Sequence, residues 1–527
     1  MSKPIGTFPD FFAPGDDFYD IESELPTLPS YHAEPVFGGA RLATVRDVQR
    51  LTGESARRVP GLGLAHGSLL GVDAEAGRPR LVHDRTLWLP DGLLHRHLLA
   101  VGPLGSGKTM RVVFPLAAAA AARSDTTLVV FDPKAELFAP LRKLAIDAGR
   151  PASSVMRLNL TDPRRSIGWS PISRRPTRAE ALAVAHPLAM ATSRPNAHES
   201  LFWTQAAVDI YVAILRALGK ECRASLPLLR DVLDLPRREF VAWLAAREQS
   251  VPEVAAFAQF LASGSHNAET VLADARARLT PLLDDDVATV LSHPELDLHA
   301  VFRRPRVLVV EMPETSLARL RPLYGLLAGQ LLDAAIEVAD STGRAALPHP
   351  AMLIVDELGN LGPIPDFPVR LNTLRSRRVS VVGAVQTLDQ LAITYGPASS
   401  AVLTGFASKV FLPGVEPADA AYASERSGTT TVRITRASEL PIARPLLTPE
   451  EVMRPRRHAV LGRPMTFLLA DEAPFQGWVR PAFERGDLAA ALAVEGSRVG
   501  RRRHRRERAT LSTDRGAGPE RSRLRKP

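Results

Sequence analysis

The sequence predicts an α/β fold, a mostly parallel β-sheet that carries a phosphate-binding loop and is interrupted by an inserted all-α segment. Three observations predict it. Gly102-Pro-Leu-Gly-Ser-Gly-Lys-Thr109 fits G-x-x-x-x-G-K-[ST] without a mismatch, after a short apolar strand (His97–Val101) and before a helix running to Ala122. Further near-continuous apolar runs alternate with helical periodicity, as buried parallel strands covered on both faces do. Between about 170 and 300 helical periodicity continues without a convincing strand, an insertion of ~130 residues inside the α/β unit.

The loop needs those residue types at that spacing. Gly102, Gly105 and Gly107 let the backbone curl so that successive N–H groups, Ser106 included, point at phosphate oxygens. The following helix adds partial positive charge at the same spot. Lys108 reaches the β- and γ-phosphates of ATP, and the Thr109 hydroxyl ligates Mg²⁺.

Bulk properties narrow the class. The 527 residues are 45% hydrophobic and 23% charged, ordinary for a globular chain. Cys222 is the single cysteine, so no internal disulfide forms, and with no C-x-x-C no structural zinc site is expected. His95 and His97, flanking Arg96, read as structural histidines. Residues 498–527 hold twelve Lys/Arg against three acids, which is the whole of the +9 net charge. No stretch approaches 18 consecutive apolar residues, so no transmembrane helix is expected. Met1–Gly6 lacks the apolar core of a signal peptide.

In chain order, residues 1–40 carry seven acids against Lys3 and six prolines, the composition of an acidic, disordered arm. Residues 41–168 hold a small N-terminal module (a helix over Thr44–Leu51, glycine turns, short strands near Gly67–Val72 and Thr86–Leu89) and the first part of the ATPase domain. Strands are expected at Thr126–Phe131 and Val155–Leu160. The all-α insertion spans 169–300. Residues 301–485 form the second part, with strands at Arg306–Met312, Ala351–Val355, Val379–Val385 and Lys409–Leu412. From 486 to 527 the chain becomes a basic, disordered tail.

Met352-Leu-Ile-Val-Asp356-Glu357 is an apolar strand ending in two acids. Asp356 at its tip can hold Mg²⁺ opposite Thr109, and Glu357 is placed to polarise the attacking water. The next strand ends at Gln386, where a polar side chain can contact the γ-phosphate and report its loss. Between them lies Arg370-Leu-Asn-Thr-Leu-Arg375-Ser-Arg-Arg378, either a solvated face or the source of an arginine for a neighbouring subunit's ATP. The segment is expected at the sheet's carboxyl edge, with Arg375 acting in trans and Arg377 and Arg378 as alternatives.

These residues resemble the coupling proteins of type IV secretion and bacterial conjugation, over about Gly38 to Pro464. The matching motifs are Gly38-Gly-Ala-Arg41, Gly102–Thr109 with Pro115, Asp132-Pro-Lys-Ala-Glu-Leu137, Phe202-Trp203 with Ala206, Val355–Gly362 with Pro363-Ile-Pro365, Arg375 through Gln386 to Gly396, Ser427–Thr430 and Leu447–Val452. Three features depart from the pattern: Ala135 replaces a glycine, Trp169-Ser-Pro-Ile172 replaces Asn-Pro-Leu, and the N-terminal transmembrane helices are missing. The resemblance implies a RecA-like P-loop NTPase with an inserted all-α domain, assembled as a homo-hexamer and hydrolysing ATP with Mg²⁺. It implies delivery of DNA, single-stranded and carrying a relaxase, to type IV secretion channel components. A separate membrane-anchor protein would hold it at the inner face of the cell membrane, and the basic tail would touch DNA or anionic lipid. A double-stranded-DNA translocase of the FtsK or HerA kind and an ATP-gated docking receptor for secreted proteins are the rival readings.

Overall fold

Thirteen strands form among the residues that the computed structural model describes, which are 38–52, 56–73, 78–191, 199–262, 266–433 and 441–493, with Leu25 and Val36. All of the acidic arm except Leu25, Val36 and residues 38–40 lies outside them, as do residues 494–527 of the basic tail. The first residues of that tail are not disordered but form a helix, Gly486–Leu492, that buries Leu488, Ala491 and Leu492. The strands are β1 (Gly61–Val72), β2 (Pro79–Pro90), β3 (Leu98–Val101), β4 (Thr127–Asp132), β5 (Val155–Asn159), β6 (Val307–Glu311), β7 (Ala351–Val355), β8 (Val379–Val385), β9 (Ser408–Phe411), β10 (Thr429–Arg433), β11 (Pro441–Pro445), β12 (Met465–Leu468) and β13 (Phe475–Val479).

Eleven of them make one sheet in the order β2-β1-β13-β12-β9-β3-β8-β7-β4-β6-β5. From β9 to β5 all neighbours are parallel. These strands are buried along nearly their whole length, as parallel strands flanked by helices must be. Successive residues face opposite cores. Leu98 and Ala100 pack with helix Phe114–Ala122, while Leu99 and Val101 join the core of helix Glu314–Ser341 and the inserted helices.

Beyond β9 the sheet continues antiparallel through β12, β13, β1 and β2, an extension that periodicity did not reveal. Gly61 and Gly63, in the stretch of glycine turns before the strand expected at Gly67–Val72, lie inside β1. A Cβ on Gly67 would sit 1.9 Å from the carbonyl oxygen of Trp478, so β1 approaches β13 this closely only with hydrogen there. The expected helix at Thr44–Leu51 is Val45–Arg50, closed by a capping box between Thr44 and Asp47.

Between β5 and β6 the described residues hold eight α-helices and no strand. The chain enters and leaves this unit through one fastening. Gly168 N–H donates to Glu295 Oε2 at 2.9 Å, Leu296 N–H donates to Gly168 O at 2.9 Å, and Trp169 N–H donates to Val290 O at 3.0 Å. Trp169, where the motif departs, is fully buried. A Cβ on Gly168 would lie 1.8 Å from the carbonyl oxygen of His293. Gly168→Ala is therefore expected to part the two segments and lower stability by about 2–4 kcal/mol, read as a lower unfolding midpoint. A midpoint unchanged within error would mean that the fastening shifts without cost.

Among the described residues no helix is long and apolar enough to cross a membrane.

Candidate active site

The glycine-rich loop leaves β3 at the carboxyl edge of the sheet and turns into the next helix through Gly105 (φ 81°) and Gly107 (φ 91°), both left-handed. The helix starts with a wide turn, Thr109–Val113, in which Phe114 N–H donates to Thr109 O. This i→i−5 step precedes Pro115, which has no N–H to donate and crowds the carbonyl one turn back.

Lys108 is buried and its ammonium donates to the carbonyls of Gly102 and Pro103, so its charge stays folded against its own loop. Burial lowers its pKa, opposed by the carboxylates of Asp356 and Glu357. Thr109 Oγ1 donates to Asp356 Oδ2 at 2.7 Å, joining the end of the loop to the tip of β7 across the fold. Asp356 is 1% exposed, and burial raises its pKa although the Thr109 bond opposes this. Its Oδ1, like Ser106 Oγ, is buried with no hydrogen-bond partner among the described residues. A buried acceptor left bare beside a hydroxyl is a donor set that suits a hard, oxygen-seeking cation.

Glu357 sits in a left-handed conformation (φ 76°, ψ 64°), strained for a residue with a Cβ. Its Oε2 accepts from Asn360 Nδ2 at 2.6 Å. Gln386, half-buried at the tip of β8, donates its backbone N–H to Gln390 Oε1 at 2.9 Å. Gln390 packs against Gly359, where a Cβ would come within 2.9 Å of it. Asn360 and Gln390 thus brace the two strand tips. Both lie inside the matching motifs Val355–Gly362 and Arg375–Gly396 without a role of their own there, because each acts through a neighbour three or four residues away. Asp132, quoted only as part of a motif, ends β4 and accepts from the backbone N–H groups of Lys134, Glu136 and Leu137. Burial, with the nearby Asp356 carboxylate, pushes its pKa up to about 7.

Thr109, Asp356, Glu357 and Gln386 therefore gather at the carboxyl ends of adjacent strands β3, β8 and β7. Arg375 does not join them. Helix Phe367–Ser376 begins beyond β7 and runs back along the sheet, so its last turn, with Arg375, meets the start of β8. The expectation of a carboxyl-edge arginine is corrected. A ten-residue helix spans about 15 Å, enough to return the chain to the amino edge. Its neighbours are engaged there: Arg370 forks onto Asp333 with two bonds of 2.8 Å, Arg377 pairs with Asp340 at 3.0 Å, and Arg378 reaches Leu347 O at 3.3 Å. Arg375 is exposed and makes no hydrogen bond or ion pair among the described residues.

His97 lies at the same edge and is structural. Its Nδ1 accepts from Val381 N–H at 3.0 Å, so Nε2 donates to Leu371 O at 2.8 Å. Burial lowers its pKa from 6.5 to about 4. The neutral ring is the folded form, so this stabilisation is present above pH 6.5 and is lost as pH falls from there toward 4, by about 3 kcal/mol in all. His97→Gln should flatten that acid limb of the unfolding midpoint against pH; an unaltered limb would remove His97 from it.

A family model described as type IV secretory system conjugative DNA transfer matches residues 63–461. The chain belongs to that family. Among curated proteins no sequence matches it. Solved structures do match it. The bacterial conjugative coupling protein TrwBdeltaN70, in an unbound monoclinic form, is 20% identical over 86% of this chain and 95% of its own, with a TM-score of 0.64. The plasmid coupling protein TrwB in complex with ADP and Mg²⁺ is likewise 20% identical, over 86% and 96%, at 0.64. TrwB with the non-hydrolysable ATP analogue ADPNP is 19% identical, over 86% and 96%, at 0.64. The shared fold is the RecA-like P-loop NTPase fold with an inserted all-α domain.

Proposed function

We propose that this member of the conjugative DNA transfer family is a Mg²⁺-dependent ATPase, the motor that hands a DNA–relaxase complex to a type IV secretion channel and drives the DNA through it. The observation that carries the reading is the 2.7 Å bond from Thr109 to Asp356, with Asp356 Oδ1 bare beside it and Glu357 next in the chain. The TrwB structures with ADP and Mg²⁺ and with an ATP analogue agree with it.

Thr109 and Asp356 would hold Mg²⁺, which when bound neutralises charge on the phosphates. In the loop Gly102–Thr109, where the Gly102 N–H is held by Val385 O, N–H groups beyond Pro103, Ser106 Oγ and the Lys108 ammonium would bind the phosphates, Lys108 exchanging its own-loop carbonyls for phosphate oxygens. Glu357, its carboxylate aimed by Asn360, would take the proton of the attacking water. Gln386 would sense the γ-phosphate, held in place through Gln390. Arg375 lies across the sheet from its own loop, so it would act on a neighbour's ATP in a homo-hexamer. A membrane-anchor partner, a position at the inner face of the cell membrane and contact of the tail with DNA or anionic lipid belong to the same reading.

The experiment measures ATP turnover by the full chain with and without Mg²⁺ and single-stranded DNA. Turnover should need Mg²⁺, rise with DNA and vanish in Lys108→Ala. Mg²⁺-dependent turnover indifferent to DNA would make the chain an ATP-gated receptor for protein cargo. No turnover under any of these conditions would overturn the ATPase itself.

A further inference from the structure

Cations also gather at the amino edge of the sheet, across from the phosphate-binding loop. Lys409 is the second residue of β9, paired with Leu99 in the ladder, and is 3% exposed. Its ammonium donates to the carbonyl of Phe406 and lies 5.9 Å from the ring centroid of Tyr422. Beside it opens a cavity of about 190 Å³ lined by Lys409, Arg426, Ser427, Ala470, Asp471 and Glu472 among others. Burial lowers the Lys409 pKa to about 8, and Arg426 pushes it the same way.

The two acids of the cavity do not offset these charges. Asp471 is ion-paired with Arg96, and Glu472 faces Arg50 at 3.8 Å. Burial raises the Glu472 pKa, which further weakens it as a counter-charge. Arg426 makes no hydrogen bond or ion pair among the described residues. The Ser427 hydroxyl is already used, donating to Ser424 O and accepting from Leu447 N–H. A cation drawn out of water is costly unless an anion meets it. Lys409 is such a cation, the exposed Arg426 lines the same cavity, and the cavity's carboxylates are engaged elsewhere.

We propose that the cavity between Lys409 and Arg426 binds a phosphate group, at a site separate from the nucleotide. Lys409 has two N–H bonds left after Phe406, and Arg426 presents a planar fork suited to phosphate oxygens. The volume is below the ~300–1,000 Å³ usual for small-molecule sites, so one compact anionic group fits and a whole nucleotide does not. Inorganic phosphate and a phosphate of a nucleic-acid strand both offer that chemistry.

The test titrates inorganic phosphate calorimetrically into the full chain carrying Lys108→Ala, which disables the other phosphate site, with and without Lys409→Met. Saturable binding is expected, weakened roughly 10- to 100-fold by Lys409→Met and similarly by Arg426→Ala. Lys409→Met removes a buried charge at constant length, so it should fold at least as stably. Phosphate should raise the unfolding midpoint only when Lys409 is present. Competition by a single-stranded oligonucleotide would assign the site to strand phosphates, and failure to compete would assign it to free phosphate. Equal phosphate affinity with and without Lys409→Met, or no binding to the Lys108→Ala chain, overturns the proposal.

Discussion

Glu357→Gln is expected to bind Mg²⁺–ATP and to hydrolyse it about 10²–10⁴-fold more slowly than the parent chain, the range a positioned general base supplies. The substitution is nearly isosteric and leaves Thr109, Asp356 and Lys108 intact, so nucleotide affinity should hold. The amide oxygen can still accept from Asn360, which bonds Glu357 Oε2 at 2.6 Å. What disappears is the proton acceptor alone. The backbone supports the assignment, since Glu357 is held left-handed at φ 76° at a strand tip, and such strain gathers at functional positions. Single-turnover hydrolysis measured beside equilibrium binding of ATP checks it. Turnover within a few-fold of the parent would take Glu357 out of the chemistry.

Arg375→Ala is expected to bind ATP normally and to lose about 10³–10⁵-fold in turnover, the effect of arginine fingers in other NTPases. The geometry makes this an all-or-nothing matter. Arg375 lies at the start of β8, and Gln386 follows its end. The seven residues of β8 at about 3.3 Å each put roughly 23 Å between the two edges, too far for Arg375 to reach its own nucleotide. It acts on a neighbour or not at all. Among Arg370, Arg375, Arg377 and Arg378, it alone is left without a hydrogen bond or ion pair among the described residues, and a guanidinium stays charged and grips phosphate with two bonds. Mixing two inactive proteins, Lys108→Ala and Arg375→Ala, should restore partial activity, because some interfaces then pair an intact loop with an intact arginine. If mixed rings form and nothing returns, Arg375 has no role in trans.

What the sequence determined by itself was local. The loop Gly102–Thr109 needs only its own glycines, a strand before it and a helix after it. Asp356 and Glu357 needed only the apolar run that ends at Val355. The helical insertion declared itself through periodicity, because each of its helices buries one face. The parallel strands were readable for the same reason, each being an apolar run buried on both sides. Tertiary structure alone decided the rest. The strand at Gly67–Val72 was legible but its partner was not: Trp478, some four hundred residues later, presses its backbone against Gly67, and a single sequence carries no sign of a partner so distant. Lys409 reads as a polar residue inside a strand until β12 and helix Pro417–Ser427 close over it. Arg375 changed edges because the length of a helix, not the order of residues, sets where the chain comes back to the sheet. Spacing along the chain names the groups that can do chemistry; which of them meet depends on backbone packing between segments far apart in sequence.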